Sequence, residues 1–224
     1  MNALPRRSIA AARLAIGATA MLCAAQASAN AQAQPMSFFI TSVGAGDGAK
    51  LGGLAGADQH CQQLAVAAGS TGKTWHAHLG QQAVGDAKAV NARDRIGPGP
   101  WRNAKGVVVA TSVADLHSDN NKLSKENSLT EKGAVVNGRG DTPNTHDVMT
   151  GAKLDGTVSS DPTDNTCQNW SSNTMGSASV GHHDRQGGGA NPTSWNFAHG
   201  SRGCSQENLR GSGGAGLYYC FAIN

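Results

Sequence analysis

The segment 181–204 carries more chemically active side chains than any other stretch of this sequence. Its imidazole, carboxylate, guanidinium and amide groups offer hydrogen-bond donors and acceptors, and an indole offers a flat apolar face. This mixture suits a polyhydroxylated ligand, whose hydroxyl groups need both donors and acceptors. The expected ligand-binding residues are His183, Asp184, Arg185, Asn191, Trp195 and Asn196. The alternative is that these polar groups satisfy the loop backbone and that the tryptophan belongs to the core.

A zinc site is a second interpretation of the same segment. Its ligands would be His182, His183, Asp184 and His199. Catalytic zinc commonly uses three protein ligands and a water molecule, so this set predicts a secreted metal-dependent hydrolase as an alternative function. Neighbouring residues of a strand point in opposite directions, however, and the chain has no HExxH helix.

Calcium is the metal that a third group of side chains would bind. Asp161, Asp164 and Asn165 supply hard oxygen ligands, and Asp141, Asn144 and Asp147 lie upstream. None of them has the spacing of an EF-hand loop. The alternative interpretation is a set of surface turns in which these side chains bond to the local backbone.

Nothing in the sequence identifies a catalytic nucleophile. There is no G-x-S-x-G elbow, and no glycine loop with a lysine to hold phosphate. The carboxylates are scattered, so no glycosidase pair can be named. We therefore expect a binding protein and not an enzyme.

The elements that must position these residues can be predicted from apolar spacing. Apolar residues recur at helical intervals over 54–68, and Gly69 follows where a C-cap glycine belongs. The stretches 36–43 and 217–223 have the composition of strands, and the second is apolar on both faces. We expect these two strands to pair. A third strand over 74–79 places His76 and His78 on a polar face, which we expect to be solvated.

The amino terminus is typical of a secretory signal peptide. Three arginines precede a short apolar stretch and a small-residue cleavage site that ends at Ala29. We expect residues 1–29 to be the signal peptide, 30–35 a linker and 36–224 one domain. The apolar stretch is too short to span a bilayer. The location is therefore expected to be periplasmic or extracellular, without membrane insertion.

Charge argues against a nucleic-acid partner. The formal net charge of the 224-residue chain is +3, and the signal arginines account for it. The remaining chain is close to neutral and shows no basic stripe.

Four cysteines follow the signal, Cys61, Cys167, Cys204 and Cys220. In an exported protein they are expected to form disulfides, and four cysteines allow three pairings.

Several stretches together resemble the bacterial secreted proteins of the C-type lectin-like fold, in the branch related to endostatin. They are LAGADQHCQQLAVAAG, WHAHL, ARDRI followed by GPWRNAKGVVVA, and GCSQENLRGSGGAGLYYCFA. The resemblance extends from about Met36 to the end. It implies an α+β fold with two short helices, small antiparallel sheets and long disulfide-braced loops.

The resemblance also implies a disulfide pairing of first with fourth cysteine and second with third. The placement of the helix and the closing strand favours the same pairing. The implied partner is a carbohydrate or glycoconjugate, with calcium as cofactor, or else a surface protein. The tripeptides that hold calcium and sugar in the family are incomplete here, because Thr193 and Phe197 stand where carboxylate or amide side chains are needed.

Overall fold

The computed structural model describes Met1 and residues 35–224. The predicted signal peptide and linker lie almost entirely outside these residues. In the described part of the chain, no helix combines the length and the apolar character needed to cross a bilayer.

The described residues form an α+β structure of short elements, which confirms the predicted class. The helical elements are α1 (Gly53–Ala67), a 3-10 turn (Ala92–Arg95), α2 (Val113–Leu116), α3 (Cys167–Trp170) and α4 (Gln206–Ser212). All four residues of α3 have positive φ, so α3 is a left-handed turn. The strands are β1 (Phe38–Ile40), β2 (Trp75–Ala77), β3 (Trp101–Arg102), β4 (Val108–Ala110), β5 (Asp147–Met149), β6 (Ser179–His182), β7 (His199–Gly200) and β8 (Gly214–Ala222).

β8 organises the structure because both of its faces are buried. Leu217, Tyr219 and Phe221 point into one apolar cluster, whereas Tyr218 and Cys220 point into another. Alternate residues of a strand face opposite sides, so the predicted alternation of the closing strand is confirmed. The carboxyl-terminal half of β8 pairs with β1 and β2, and its amino-terminal half pairs with β5.

The predicted pairing of the opening and closing strands is also confirmed. β1 runs antiparallel to β8, with Phe38 opposite Phe221 and Ile40 opposite Tyr219. The ends of the described domain therefore lie side by side.

Two disulfides fix α1 and the left-handed turn α3 to the rest of the domain. α1 buries Ala57, Cys61 and Ala65, which follow one another at helical spacing, against the sheet. Cys61 is bonded to Cys220 of β8. The other bond joins Cys167 and Cys204. Both bonds agree with the first-to-fourth and second-to-third pairing.

β5 lies between β8 and β6 in the sheet order β1-β8-β5-β6-β7. It is parallel to β8, whereas the other strand pairs are antiparallel, so the expectation of purely antiparallel sheets is wrong. The chain makes this parallel pair possible because it passes through β6, β7 and α4 before it returns. All three residues of β5 are buried.

The polar face predicted for β2 is not solvated at His78. This side chain, just beyond the strand, is fully buried beside Trp195 and Phe221. The expectation was wrong because the apolar cluster that contains Tyr219 and Phe221 covers that side of the sheet.

Candidate functional site

Three adjacent strands bring four ligand-type side chains to one point. Asp147 begins β5 and lies opposite His182, the last residue of β6. His199 begins β7, which pairs with β6, and His146 directly precedes β5. The register of the sheet therefore assembles these four residues, which we call the His/Asp cluster, from distant parts of the sequence.

The Oδ1 atom of Asp147 lies at the centre of the His/Asp cluster. It is 3.2 Å from Nε2 of His146, 3.3 Å from Nε2 of His182 and 3.5 Å from Nε2 of His199. The Nε2 atoms of His182 and His199 are 3.1 Å apart. The potential ligand atoms of His146, Asp147 and His182 all lie within 4.8 Å of one another. His199 extends this group through its contacts with two of the three.

The other ring nitrogen of each histidine faces an oxygen that can only accept a hydrogen bond. Nδ1 of His182 is 2.8 Å from the carbonyl oxygen of Pro192, and Nδ1 of His199 is 3.0 Å from that of the following residue. Nδ1 of His146 is 3.3 Å from Oδ1 of Asp184. Each Nδ1 can therefore donate to its oxygen acceptor, and each ring turns Nε2 toward the cluster.

The His/Asp cluster is buried on all but one side. The side chains of Asp147 and His182 are 1% exposed, whereas that of His199 is 28% exposed. Burial acts to raise the pKa of Asp147, but the imidazoles of His182 and His199 outweigh it and the pKa is lowered. The contact with Asp147 raises the pKa of His199. The carboxylate of Asp147 is thus enclosed by three imidazole rings.

His183 faces away from the His/Asp cluster, although the zinc interpretation included it. Its Nε2 is 3.1 Å from the carbonyl oxygen of Asn137. The ring is fully buried, and burial lowers its pKa. Its neighbour His182 points to the opposite side, as alternation in a strand requires.

Asp184 belongs to the surroundings of the His/Asp cluster and does not contact Asp147. Besides the ring of His146, it accepts hydrogen bonds from the backbone N–H groups of Arg139 and Gln186. Burial acts to raise the pKa of Asp184, but these donors outweigh it and the pKa is strongly lowered. Asp184 therefore orients a ligand-type histidine, and its predicted role as a ligand is corrected.

The sequence analysis did not consider His146 and counted Asp147 only as an oxygen ligand for calcium. The available signal was a His-Asp pair directly before the apolar residues Val148 and Met149. Because β5 has only three residues, its alternation is too short to identify it as a strand. Without that strand, nothing in the sequence places Asp147 opposite His182.

Four of the six predicted ligand-binding residues line one polar cavity of about 440 Å³, which we call the Arg185 cavity. They are Arg185, Asn191, Trp195 and Asn196, and His117, Ser118, Asp119 and Ser194 line it as well. Nη1 of Arg185 donates to Oδ1 of Asn121 at 3.0 Å, and its Nη2 is 3.6 Å from Oδ1 of Asp119. The guanidinium is therefore held in place at the cavity wall.

Trp195 and Asn196 belong to the wall of this cavity, but both side chains are buried and packed or hydrogen-bonded within the protein. Trp195 is 3% exposed and packs edge-on against Tyr219, with ring centroids 5.1 Å apart. The side-chain amide of Asn196 is 1% exposed and donates to the carbonyl oxygens of Lys153 and Leu154. The predicted stacking face of Trp195 is thus covered by the core, which is the alternative that the sequence left open.

The side chains predicted to bind calcium within 161–165 form hydrogen bonds with the nearby backbone instead. Oδ1 of Asp161 accepts from the backbone N–H of Thr163, and the two carboxylate oxygens of Asp164 accept from those of Thr166 and Gln168. Asn165 donates from its side chain to the Thr163 carbonyl oxygen. These are turn contacts of the kind that Asp and Asn make with nearby backbone, and they do not form a calcium cage.

No protein-family model matches the chain, and no curated protein is significantly similar to it.

Proposed function

We propose that the protein adopts a C-type lectin-like fold. The paired opening and closing strands support this proposal, since that fold is a looped domain with neighbouring termini. The disulfides of Cys61 with Cys220 and of Cys167 with Cys204 support it as well. The long connections between β4, β5 and β6 correspond to the loop region in which such a fold carries its ligands.

On this fold, we propose an exported module that binds a carbohydrate or glycoconjugate in the Arg185 cavity. One observation carries the proposal: Arg185 and Asn191, chosen from the sequence for hydrogen bonding to a polyol, line a single polar cavity. The cavity takes its residues from two connections, 117–119 and 185–196, which meet at this point.

The groups that line the Arg185 cavity complement a ring with neighbouring hydroxyl groups. Arg185 and Asn191 can donate, whereas Asp119 and the hydroxyl oxygens of Ser118 and Ser194 can accept. A guanidinium donates in a planar fork, and two adjacent hydroxyl oxygens can receive it together. The buried Trp195 contributes a rigid apolar floor.

A glycan array tests this proposal, with the oxidised protein and an Arg185→Ala variant. Loss of a charged hydrogen-bond donor costs about 1.5 to 3 kcal/mol, so we expect binding to weaken by about 10- to 100-fold. The matched control is Arg202→Ala, which removes an exposed arginine that does not line the cavity. Equal glycan binding by parent and Arg185→Ala would contradict the site.

A silent array with the parent protein would contradict carbohydrate binding itself and favour the protein-binding alternative. The geometry argues against the hydrolase set of His182, His183, Asp184 and His199. Its two central members have other partners, the Asn137 carbonyl oxygen and the ring of His146.

A further inference from the structure

The His/Asp cluster does not line the Arg185 cavity, and its chemistry suits an ion better than a sugar. We propose that it binds one first-row transition-metal ion, with Zn²⁺ as the best match, through His146, Asp147, His182 and His199. This proposal is independent of carbohydrate binding.

The carboxylate at the centre of the His/Asp cluster lacks a partner of opposite charge. Asp147 is 2% exposed, and neither of its carboxylate oxygens accepts a hydrogen bond within the described residues. A buried carboxylate without a partner is strongly unfavourable. The rings of His146 and His182 turn Nε2 toward it, while their Nδ1 atoms face oxygen acceptors. A cation at the centre would make these nitrogen and oxygen atoms its ligands.

The spacing of the ligand atoms also supports the proposal. Zinc–nitrogen and zinc–oxygen bonds of about 2.0 to 2.1 Å place the corners of a tetrahedron about 3.3 to 3.4 Å apart. The three distances from Asp147 Oδ1 to ring nitrogens are 3.2, 3.3 and 3.5 Å. The distance between the Nε2 atoms of His182 and His199 is 3.1 Å. Four of the six edges of the tetrahedron are therefore already close to the required length. His199 lies outside the group whose ligand atoms are all within 4.8 Å of one another, so its ring must move toward His146 when an ion binds.

The chemistry of the ligand set supports it as well. Imidazole nitrogen suits zinc, copper, nickel and iron, whereas calcium requires six to eight oxygen ligands. Three nitrogens and one carboxylate therefore select against calcium.

The surroundings are those of a metal ligand shell. A ligating histidine usually donates its second N–H to a carboxylate or carbonyl oxygen, which fixes the ring. Asp184 does so for His146, and the Pro192 carbonyl does so for His182. The backbone of Gly187 packs so closely on the His182 ring that a β-carbon would not fit there. His199, on the edge strand β7, is the ligand nearest solvent and marks the side from which an ion would enter.

A competing arrangement would place a second proton on His199, so that an imidazolium faces Asp147. Metal analysis separates the two arrangements. The oxidised protein is stripped with a chelator, supplied with excess Zn²⁺, desalted and measured by elemental analysis. We expect one zinc per chain, and Co²⁺ in its place should give the visible d–d absorption of a four-coordinate ion. Absence of both retained zinc and this absorption would overturn the proposal.

Variants assign the metal to these residues. Asp147→Asn keeps the size of the side chain and removes its charge, and we expect zinc affinity to fall by at least about 100-fold. Asp161→Asn is the matched control and should bind zinc as the parent does. If Asp147→Asn does not fold, His199→Gln replaces it, because His199 is the least buried of the four ligands. Parent-like zinc affinity in the folded variant would overturn the proposal.

Asp184→Asn tests the positioning role of Asp184. We expect zinc affinity to fall by about 10-fold, with the four-coordinate cobalt spectrum retained. Loss of the spectrum together with the affinity would show that Asp184 is itself a ligand and would contradict the ligand set.

Discussion

Two groups of histidines lie inside this protein, and they differ in what their Nε2 atoms face. In the His/Asp cluster, oxygen acceptors hold every Nδ1 and a carboxylate lies at the centre. In the second group, His78 and His117 face each other, with Nε2 atoms 3.3 Å apart. Both rings pack against Trp195, at centroid distances of 4.9 and 5.4 Å.

The His78/His117 pair has a single direction of hydrogen bonding. Nδ1 of His117 donates to the carbonyl oxygen of Val113 at 2.9 Å, so its Nε2 accepts the proton of His78 Nε2. The remaining Nδ1 of His78 has no partner within residues 35–224. Burial lowers the pKa of both rings. The comparison teaches that an oxygen acceptor behind a ring does not by itself distinguish the two groups. In the His/Asp cluster the Nε2 atoms converge on a carboxylate, whereas those of His78 and His117 face each other.

The largest expected effect is a loss of stability when His78 is removed, without a loss of zinc affinity. His78→Ala removes a fully buried ring from contact with Trp195 and Phe221. We expect the free energy of unfolding to fall by about 2 to 4 kcal/mol, as for other large buried side chains. Urea unfolding measures this change, and the zinc affinity of the folded variant should match that of the parent. A tenfold loss of zinc affinity would show that the groups are not independent.

Zinc should stabilise the protein through the His/Asp cluster alone. At a free zinc concentration 100 times Kd, the free energy of unfolding should rise by about 2.7 kcal/mol. Calorimetric melting should show this increase in the parent and in His78→Phe but not in Asp147→Asn. An equal increase in Asp147→Asn would place the metal elsewhere.

Acid should destabilise the protein through the His78/His117 pair. The unfolded chain protonates His78 near pH 6.5, whereas burial and then the charges of His117 and Arg95 lower its pKa in the folded state. Stability contributed by neutral His78 is complete above pH 6.5. It is lost below that pH by up to about 1.4 kcal/mol per pH unit. Urea unfolding of the metal-free protein at pH 7, 6 and 5 measures this slope, which His78→Phe should reduce. An unchanged slope would contradict this assignment.

The smallest expected effect is a coupling between zinc binding at the His/Asp cluster and ligand binding in the Arg185 cavity. His182 and His199 bound the segment that supplies Arg185 and Asn191, and the Pro192 carbonyl accepts from His182 at the cavity wall. We expect zinc removal to weaken ligand binding in the cavity by about fivefold, or about 1 kcal/mol. Titration of a bound glycan with and without zinc measures it. Stronger binding after zinc removal would reverse the expected coupling.

Sequence reasoning succeeded where the spacing of side chains is local. The apolar character of 217–223 predicts a strand paired inside a sheet, and the helical spacing around Cys61 predicts α1. The composition of 181–204 drew attention to His182 and His199, which the structure places in the His/Asp cluster.

Sequence reasoning failed where contacts between distant segments determine the role or the burial of a residue. His146 and Asp147 become important only through the register of β5 against β6, and a three-residue strand leaves no periodic pattern in the sequence. His78 and Trp195 were judged from their own segments, yet burial depends on connections from elsewhere that cover them. A sequence pattern defines the two faces of a strand, but it does not tell which faces another layer covers.

The bond between Cys61 and Cys220 encloses nearly the whole domain, with the two cysteines 159 positions apart. A protease that cuts the chain once, anywhere between them, produces two fragments that stay covalently joined. Such a nick would show on a gel only after reduction. A molecule built in this way would survive a single cleavage in an exposed loop without losing either part.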